Sequence, residues 1–154
     1  MPVKKGDKAP AFTLVDTDRK ERSLSEFLGK KTVIAFYPGA FTGVCTKEMC
    51  ALRDSIAELG KLNAQVVGIS VDSPFANKAF KDANRIDFPL LSDLGKKTSL
   101  EYVGLYENFA GVSGYVASRR AVVILDAKGM VTYLWVTENP GIEPDYAEVK
   151  KALA

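Results

Sequence analysis

Hydrophobic positions along the chain follow two repeating patterns, one of strands and one of helices. Apolar runs rich in β-branched and aromatic residues predict buried strands at residues 31–37 and 64–71. Each run is followed by apolar residues at spacings of three and four, which predict a helix. The apolar stripe of the first predicted helix consists of Cys45, Met49, Leu52, Ile56 and Leu59. Gly60 is expected to end this helix, and the alternation of strand and helix predicts parallel βαβ units.

The second predicted helix has Ser73 as its N-cap and Pro74 at its first position. Its inward side is predicted to consist of Phe75, Ala79, Phe80 and Ala83. Near the N-terminus, residues 11–15 and the turn-rich residues 16–19 predict an opening hairpin. Residues 23–26 fit a capping box. The short turn after it is predicted to pack Leu24, Phe27 and Leu28 against the core.

The C-terminal half predicts shorter elements and a second hairpin. Residues 105–118 show no clear period and predict a loop. Residues 119–125 and 130–136 read as two strands joined by a four-residue turn, which predicts a hairpin. The remaining predicted elements are a short strand at 88–93, a short helix at 98–104 and a last helix that opens at 143–145. Together these elements predict one α/β domain, residues 1–154, with a central mixed sheet flanked by helices.

Composition narrows the possible functions. The chain has 154 residues and a net charge of +2 with both signs interspersed, which gives no basis for a nucleic-acid or membrane partner. The first residues form no apolar signal region, so a cytoplasmic protein is expected. There are two cysteines and no histidine, which is too few ligands for a structural zinc site and excludes a Cys-His or Ser-His-Asp unit within the chain. No metal and no cofactor are expected.

Cys45 is the strongest candidate for chemistry because it falls in the first turn of a predicted helix. Unpaired backbone N–H groups and the helix dipole favour a thiolate there. Such positions can lower a cysteine pKa from about 8.5 to roughly 3.5–7.5. The sequence therefore predicts a nucleophilic thiol, although a buried cysteine that only packs is the alternative.

The segment around Cys45 resembles a known family. Pro38, Thr42 and Cys45 match the peroxiredoxin signature, and Glu48 matches a carboxylate position that recurs in many members. The resemblance extends over nearly the whole chain and implies a thioredoxin-like fold with an N-terminal β-hairpin extension. Within the family, the spacing of Cys45 and Cys50 resembles the PrxQ or bacterioferritin-comigratory branch, whereas residues 40–45 also look like AhpE-type members.

The resemblance implies a thiol-dependent peroxidase that reduces hydrogen peroxide and organic hydroperoxides through a sulfenic acid on Cys45. It implies that Cys50 resolves this acid as an intramolecular disulfide and that a thioredoxin- or glutaredoxin-like protein recycles the pair. Thr42 would donate to the peroxide, Pro38 would restrict access, and Glu48 would anchor an arginine.

The sequence leaves two points open. On an intact helix the Cα atoms of Cys45 and Cys50 would lie roughly 8.6 Å apart. A disulfide needs about 4.4–6.8 Å, so the helix must unwind unless an external thiol resolves Cys45. The family pattern favours Arg120 as the residue beside the thiol, but strand periodicity does not distinguish it from Arg119.

Other functions are compatible with a lone reactive thiol. One is a thiol–disulfide oxidoreductase, although the usual Cys-x-x-Cys motif is absent. Another is a non-enzymatic redox switch or holdase. The sequence leaves monomer and homodimer both open.

Overall fold

The computed structural model describes residues 2–154, apart from the side chains of Ile56 and Ala57. The predicted place of Ile56 in the helical stripe therefore lies outside the described residues. The strands are β1 (Thr13–Val15), β2 (Glu21–Ser23), β3 (Lys31–Phe36), β4 (Ala64–Ser70), β5 (Leu90–Ser92), β6 (Leu105–Tyr106), β7 (Ala117–Ser118), β8 (Ala121–Leu125) and β9 (Val131–Val136). The helices are α1 (Gly43–Lys61), α2 (Pro74–Ala83), α3 (Lys97–Tyr102) and α4 (Tyr146–Leu153).

Seven of the strands form one mixed sheet in the order β2-β1-β5-β4-β3-β8-β9. β4 pairs in parallel with β3 and with β5, so α1 and α2 are the crossovers of two βαβ units. β8 joins the other side of β3 in antiparallel orientation and continues into β9. The hairpin of β1 and β2 closes the opposite edge. The predicted α/β fold with a central mixed sheet is confirmed.

The central strands are apolar on both faces because both faces are covered. In β3, Val33 and Ala35 belong to the core cluster that includes residues of α1 and α4. Ile34 and Phe36 belong to a second cluster on the other side of the sheet. Each large apolar side chain buried this way contributes about 1.5–3 kcal/mol to stability. The end of β3, from which the Cys45 segment leaves, is thus rigidly held.

The predicted end of the first helix is wrong. α1 continues through Gly60 to Lys61, with the Leu59 side chain still buried against the sheet. The chain turns instead at Asn63, which adopts a left-handed φ of 56°. Asparagine tolerates this conformation better than most residues, so a glycine is not needed at the turn.

The predicted inward side of the second helix is also wrong for three of its four residues. Phe80 is buried, but Phe75 is 67% exposed and both Ala79 and Ala83 are exposed. The inward face is formed by Pro74, Asn77 and Phe80. Polar Asn77 takes an inward position because its side chain is satisfied there: it accepts from the Tyr37 hydroxyl at 2.7 Å and donates to Ser92 Oγ at 3.2 Å.

Two smaller expectations need correction. Leu24 and Phe27 are buried as predicted, but the Leu28 side chain is exposed because the chain leaves the 3₁₀ turn in extended conformation at that residue. Residues 105–118 are not one loop, since β6 and β7 pair with each other and a short 3₁₀ turn covers Phe109–Gly111. Two-residue strands are too short to produce a period in the sequence.

Candidate active site

The segment between β3 and α1 places Cys45 at the start of a helix. Thr42 is the N-cap of α1 and Cys45 is its third residue, as predicted. Thr42 does not cap with its side chain, however, because its hydroxyl donates to the Gly39 carbonyl at 2.9 Å. This hydrogen bond folds the segment back on itself and brings residues 39–42 over the helix N-terminus.

Two residues that the sequence analysis missed hold this segment. Asp72, just after β4, accepts a hydrogen bond from the Ala40 backbone N–H at 2.8 Å and another from Ser70 Oγ at 2.9 Å. Tyr115 lies over Gly39 so closely that a Cβ at residue 39 would come within 2.9 Å of the tyrosine hydroxyl. Neither residue has a local signal in the sequence, because each reaches the segment from a distant part of the chain.

Arg120, not Arg119, reaches the sulfur. The Arg120 side chain is 1% exposed, and its Nη2 donates to Cys45 Sγ at 3.1 Å. Its Nε donates to the Pro140 carbonyl at 2.9 Å, and its Nη1 donates to Glu48 Oε1 at 2.9 Å. Arg119 points to the opposite side and pairs with Glu138 at the surface.

The expected lowering of the thiol pKa is wrong for this arrangement. Burial raises the pKa of Cys45, because the sulfur is fully buried and a thiolate loses its hydration there. The positive charge of Arg120 and its hydrogen bond to the sulfur act in the opposite direction without reversing the shift. The Thr42 hydroxyl has one proton, so it serves the sulfur only by giving up its bond to the Gly39 carbonyl.

Glu48 makes the contact with the arginine that the family resemblance implies. Its side chain is fully buried, and burial raises its pKa to about 7 against the lowering effect of Arg120. Oε1 is paired with the guanidinium, whereas Oε2 has no hydrogen-bond partner among the described residues. A carboxyl group with a pKa near neutrality thus shares one cation with the candidate nucleophile.

Cys50 lies in the same continuous helix as Cys45, one and a half turns further on. It is half-buried, and its thiol donates to Asn84 Oδ1 at 3.8 Å, next to the end of α2. Both cysteines are free. The helix must therefore open before the two sulfurs can meet.

A cavity of about 230 Å³ opens beside the cluster. Arg120 lies on its wall, together with Thr42 and Gly43 at the start of α1. Phe109 and Ala110 reach it from the segment between β6 and β7, and Pro140 also lines it. Pro38 is buried two residues after the end of β3. The cavity gives a small molecule a route to the Arg120 guanidinium.

The part of the chain that the structure describes contains neither a metal site nor a membrane-spanning helix. It holds no group of three or more Cys, Asp or Glu placed to bind a metal ion. Across residues 2–154, no helix combines the length and the apolar character that crossing a bilayer requires.

Comparison with known proteins identifies what the chain resembles. A sequence model of the AhpC/TSA family matches residues 5–134. The chloroplastic peroxiredoxin Q of Populus jackii is 44% identical over 133 residues, which cover 86% of this chain and 60% of the relative. The chain thus spans about 60% of the length of that relative.

The match to solved structures with the same fold covers a larger share of those chains. Peroxidoxin BcpB of Mycobacterium tuberculosis is 32% identical with a TM-score of 0.81, over 97% of this chain and 94% of that one. The reduced 2-Cys peroxiredoxin of Plasmodium vivax is also 32% identical, with a TM-score of 0.84 over 99% of this chain and 81% of that one.

Proposed function

The chain belongs to the AhpC/TSA family of peroxiredoxins, and on this basis we propose that it is a thiol-dependent peroxidase for hydrogen peroxide and organic hydroperoxides. The observation that carries the proposal is the 3.1 Å contact between Arg120 Nη2 and Cys45 Sγ at the first turn of α1. A guanidinium in that position favours the thiolate over the thiol and can also stabilise charge that leaves the sulfur.

The reaction forms one bond and breaks one bond. The Cys45 thiolate attacks one peroxide oxygen, an S–O bond forms, and the O–O bond breaks with its electron pair on the departing oxygen. The departing hydroxide or alkoxide takes a proton and leaves as water or an alcohol. Arg120, the Thr42 hydroxyl and backbone N–H groups at the start of α1 stabilise the moving charge, and Pro38 restricts access to the sulfenic acid.

Resolution uses Cys50 in this proposal. Its thiolate attacks the sulfenic sulfur, the disulfide forms, and water leaves after protonation. Because both cysteines lie in α1, the first turns of the helix must unwind for this step. A thioredoxin- or glutaredoxin-like dithiol then reduces the disulfide by exchange, in the cytoplasm, and the protein acts as a monomer or homodimer.

The test is stopped-flow mixing of the reduced protein with hydrogen peroxide, followed by mass spectrometry with and without a sulfenic-acid trap. One thiol should be lost rapidly, and the trap should label Cys45. A disulfide between Cys45 and Cys50 should replace the label when the trap is left out. Slow loss of both thiols at equal rates would overturn the proposal.

The change Cys50→Ser separates attack from resolution. We expect the first oxidation of Cys45 to keep its rate within about twofold, because Cys50 does not touch the reacting atoms in the closed helix. Turnover with a thioredoxin-like reductant should fall by at least about tenfold, since no second thiol stands in the chain. Peroxide consumption over one and many turnovers measures the two effects. Unchanged turnover would assign resolution to an external thiol.

The change Asp72→Ala tests the support of the Cys45 segment. It removes the acceptor of the Ala40 N–H, and a hydrogen bond to a charged group contributes about 1.5–3 kcal/mol. We expect the rate of Cys45 oxidation to fall by about tenfold while the fold is kept, because residues 39–42 lose their register over the helix. Asp82→Ala is the matched control, since Asp82 pairs only with exposed Lys78 among the contacts described. Equal rates in both variants would contradict a positioning role.

A further inference from the structure

Three ionisable side chains, one of them the reacting thiol, are buried side by side. The side chains of Cys45 and Glu48 are fully buried, and that of Arg120 is 1% exposed. Two of these groups become negative when they lose a proton, and the third is positive at every working pH. The balance of charge within the cluster therefore depends on how many protons the two acids hold.

The guanidinium contacts both acids at once. Nη1 donates to Glu48 Oε1 and Nη2 donates to Cys45 Sγ, while Nε is used by the Pro140 carbonyl. One positive charge neutralises one negative charge. A second anion in the same buried cluster would be uncompensated, and burial makes such a charge costly.

We propose that Cys45 and Glu48 share one proton in the closed site, so that Arg120 stabilises either the carboxylate or the thiolate but not both. In one form Glu48 is ionised and Cys45 is a thiol. In the other form the proton has left the sulfur and resides on the Glu48 carboxyl, and the thiolate faces Arg120. The net charge is the same in both forms. The inference deepens the proposed function, because only the second form attacks a peroxide.

The contacts of Glu48 support this exchange. Oε2 has no partner in the described part of the chain, and a neutral carboxyl loses less than a carboxylate when one oxygen is left unpaired. Burial raises the pKa of Glu48 to about 7 and raises the pKa of Cys45 as well. Both acids are thus shifted towards holding a proton, as expected where one cation faces two acids.

Among the residues that the structure describes, the other groups facing the pair do not supply a second positive charge. Glu143 lies near Glu48 and raises its pKa further, while accepting a hydrogen bond from the Tyr146 hydroxyl at 2.8 Å. The tyrosines around the cluster are neutral at working pH because burial raises each of their pKa values. These tyrosines are Tyr37 and Tyr115 near the sulfur, Tyr146 near Glu48, and Tyr106 at the Arg120 backbone.

The proposal differs from a role as a simple anchor. If Glu48 only held Arg120 in place, Glu48→Gln would loosen the guanidinium and make Cys45 harder to ionise. If the two acids compete, the neutral amide leaves the whole charge of Arg120 to the thiolate, and Cys45 ionises more easily. The direction of the change therefore distinguishes a competing acid from an anchor.

The experiment is a pH titration of thiolate absorbance in reduced protein carrying Cys50→Ser, with Cys45→Ser/Cys50→Ser as the blank for tyrosine ionisation. We expect two steps in the parent, because the two acids titrate as a coupled pair. Glu48→Gln should give one step, with its midpoint at least about one pH unit below the second step of the parent, a tenfold change in ionisation constant. An unchanged or higher midpoint would overturn the proposal.

Two further arms keep the result decisive. Glu143→Gln is the matched control, because Glu143 faces Glu48 without a hydrogen bond to Arg120, and the two steps should remain. Should Glu48→Gln fail to fold, the parent curve decides, since a single step would overturn the shared proton. The titration uses no peroxide. A parent that titrates in two steps but does not react with peroxide would overturn the proposed function and leave the shared proton standing.

Discussion

Cys45→Ser should reduce peroxide consumption to the uncatalysed background, a loss of at least about 10⁴-fold, as is typical when a covalent nucleophile is removed. Serine keeps the size and the position of the side chain. Its hydroxyl stays protonated beside Arg120, because even a guanidinium at about 3.1 Å cannot bring a serine into the range of neutral pH. Stopped-flow measurement of peroxide consumption in a single turnover, which does not require Cys50, measures the loss.

The matched control for this prediction is Cys50→Ser, which leaves the reacting sulfur in place. The Cys45 variant should unfold in urea at a concentration close to that of the parent, since the replaced atom is small and its neighbours stay packed. Residual activity within about a hundredfold of the parent would show that another group reacts with peroxide. Such a result would transfer the chemistry to Cys50, the second cysteine of the chain.

The local sequence pattern was sufficient to predict the strand and the helix that flank the Cys45 segment. The strand that ends at Phe36 and the helix that starts at Gly43 are encoded by contiguous residues, so hydrophobic period and turn chemistry place Cys45 in a first turn. The covered strands were predictable for the same reason. Apolar residues on both parities of β4 indicate a strand covered on both faces, which the two core clusters bear out.

Contacts between distant segments were not predictable in the same way. Strand alternation puts Arg119 and Arg120 on opposite sides, but both sides of β8 are apolar, so period does not select one. Asp72 and Tyr115 reach the Cys45 segment through the fold alone. The misplaced face of α2 has a related cause. Asn77 is polar, so the sequence favours an outward position, and its partner, the buried Tyr37 hydroxyl, is known only from the structure.

The direction in which the pKa of Cys45 shifts was also not predictable from sequence, because it depends on burial by distant parts of the chain. A helix start favours a thiolate, and sequence alone reveals that influence. The loss of hydration of a fully buried sulfur depends on everything packed around it, and here it is the larger effect. Arg120 is therefore essential to the proposed chemistry, because its charge is the largest of the effects that oppose the cost of burial to the thiolate.

Arg120→Ala should lower the rate of Cys45 oxidation by about 10²–10³-fold, the usual loss when a donor to the developing charge is removed. Two causes act together. The pKa of Cys45 rises further without the cation, so less thiolate is present at neutral pH, and the departing oxygen loses a donor. Stopped-flow measurement of thiol loss at several pH values should show the deficit shrinking as pH rises and the thiolate forms.

Arg120→Ala should also make the free energy of unfolding more dependent on pH. The pKa of Glu48 is about 7 in the folded protein and 4.5 in its ordinary state, so the folded state holds a proton that the unfolded state releases. The stability that this proton contributes is therefore lost as pH rises from 4.5, the ordinary pKa of Glu48, through about 7, its pKa in the folded protein. Without Arg120 the folded pKa is higher, and the loss continues above neutrality. Urea unfolding should find the variant weaker by about 3–5 kcal/mol at alkaline pH, with a smaller deficit in acid.

Arg119→Ala is the control that separates the cluster from the surface. Arg119 precedes Arg120 in the chain, but it pairs with exposed Glu138, and exposed ion pairs contribute about 0–1 kcal/mol. Its loss should leave both the oxidation rate and the pH dependence of stability unchanged within error. If Arg119→Ala slowed oxidation as much as Arg120→Ala, the contact between Nη2 and Cys45 Sγ would not be the source of reactivity. Thiolate stabilisation would then rest on the start of α1 alone, where the backbone N–H groups and the helix dipole act on the sulfur without a side-chain cation.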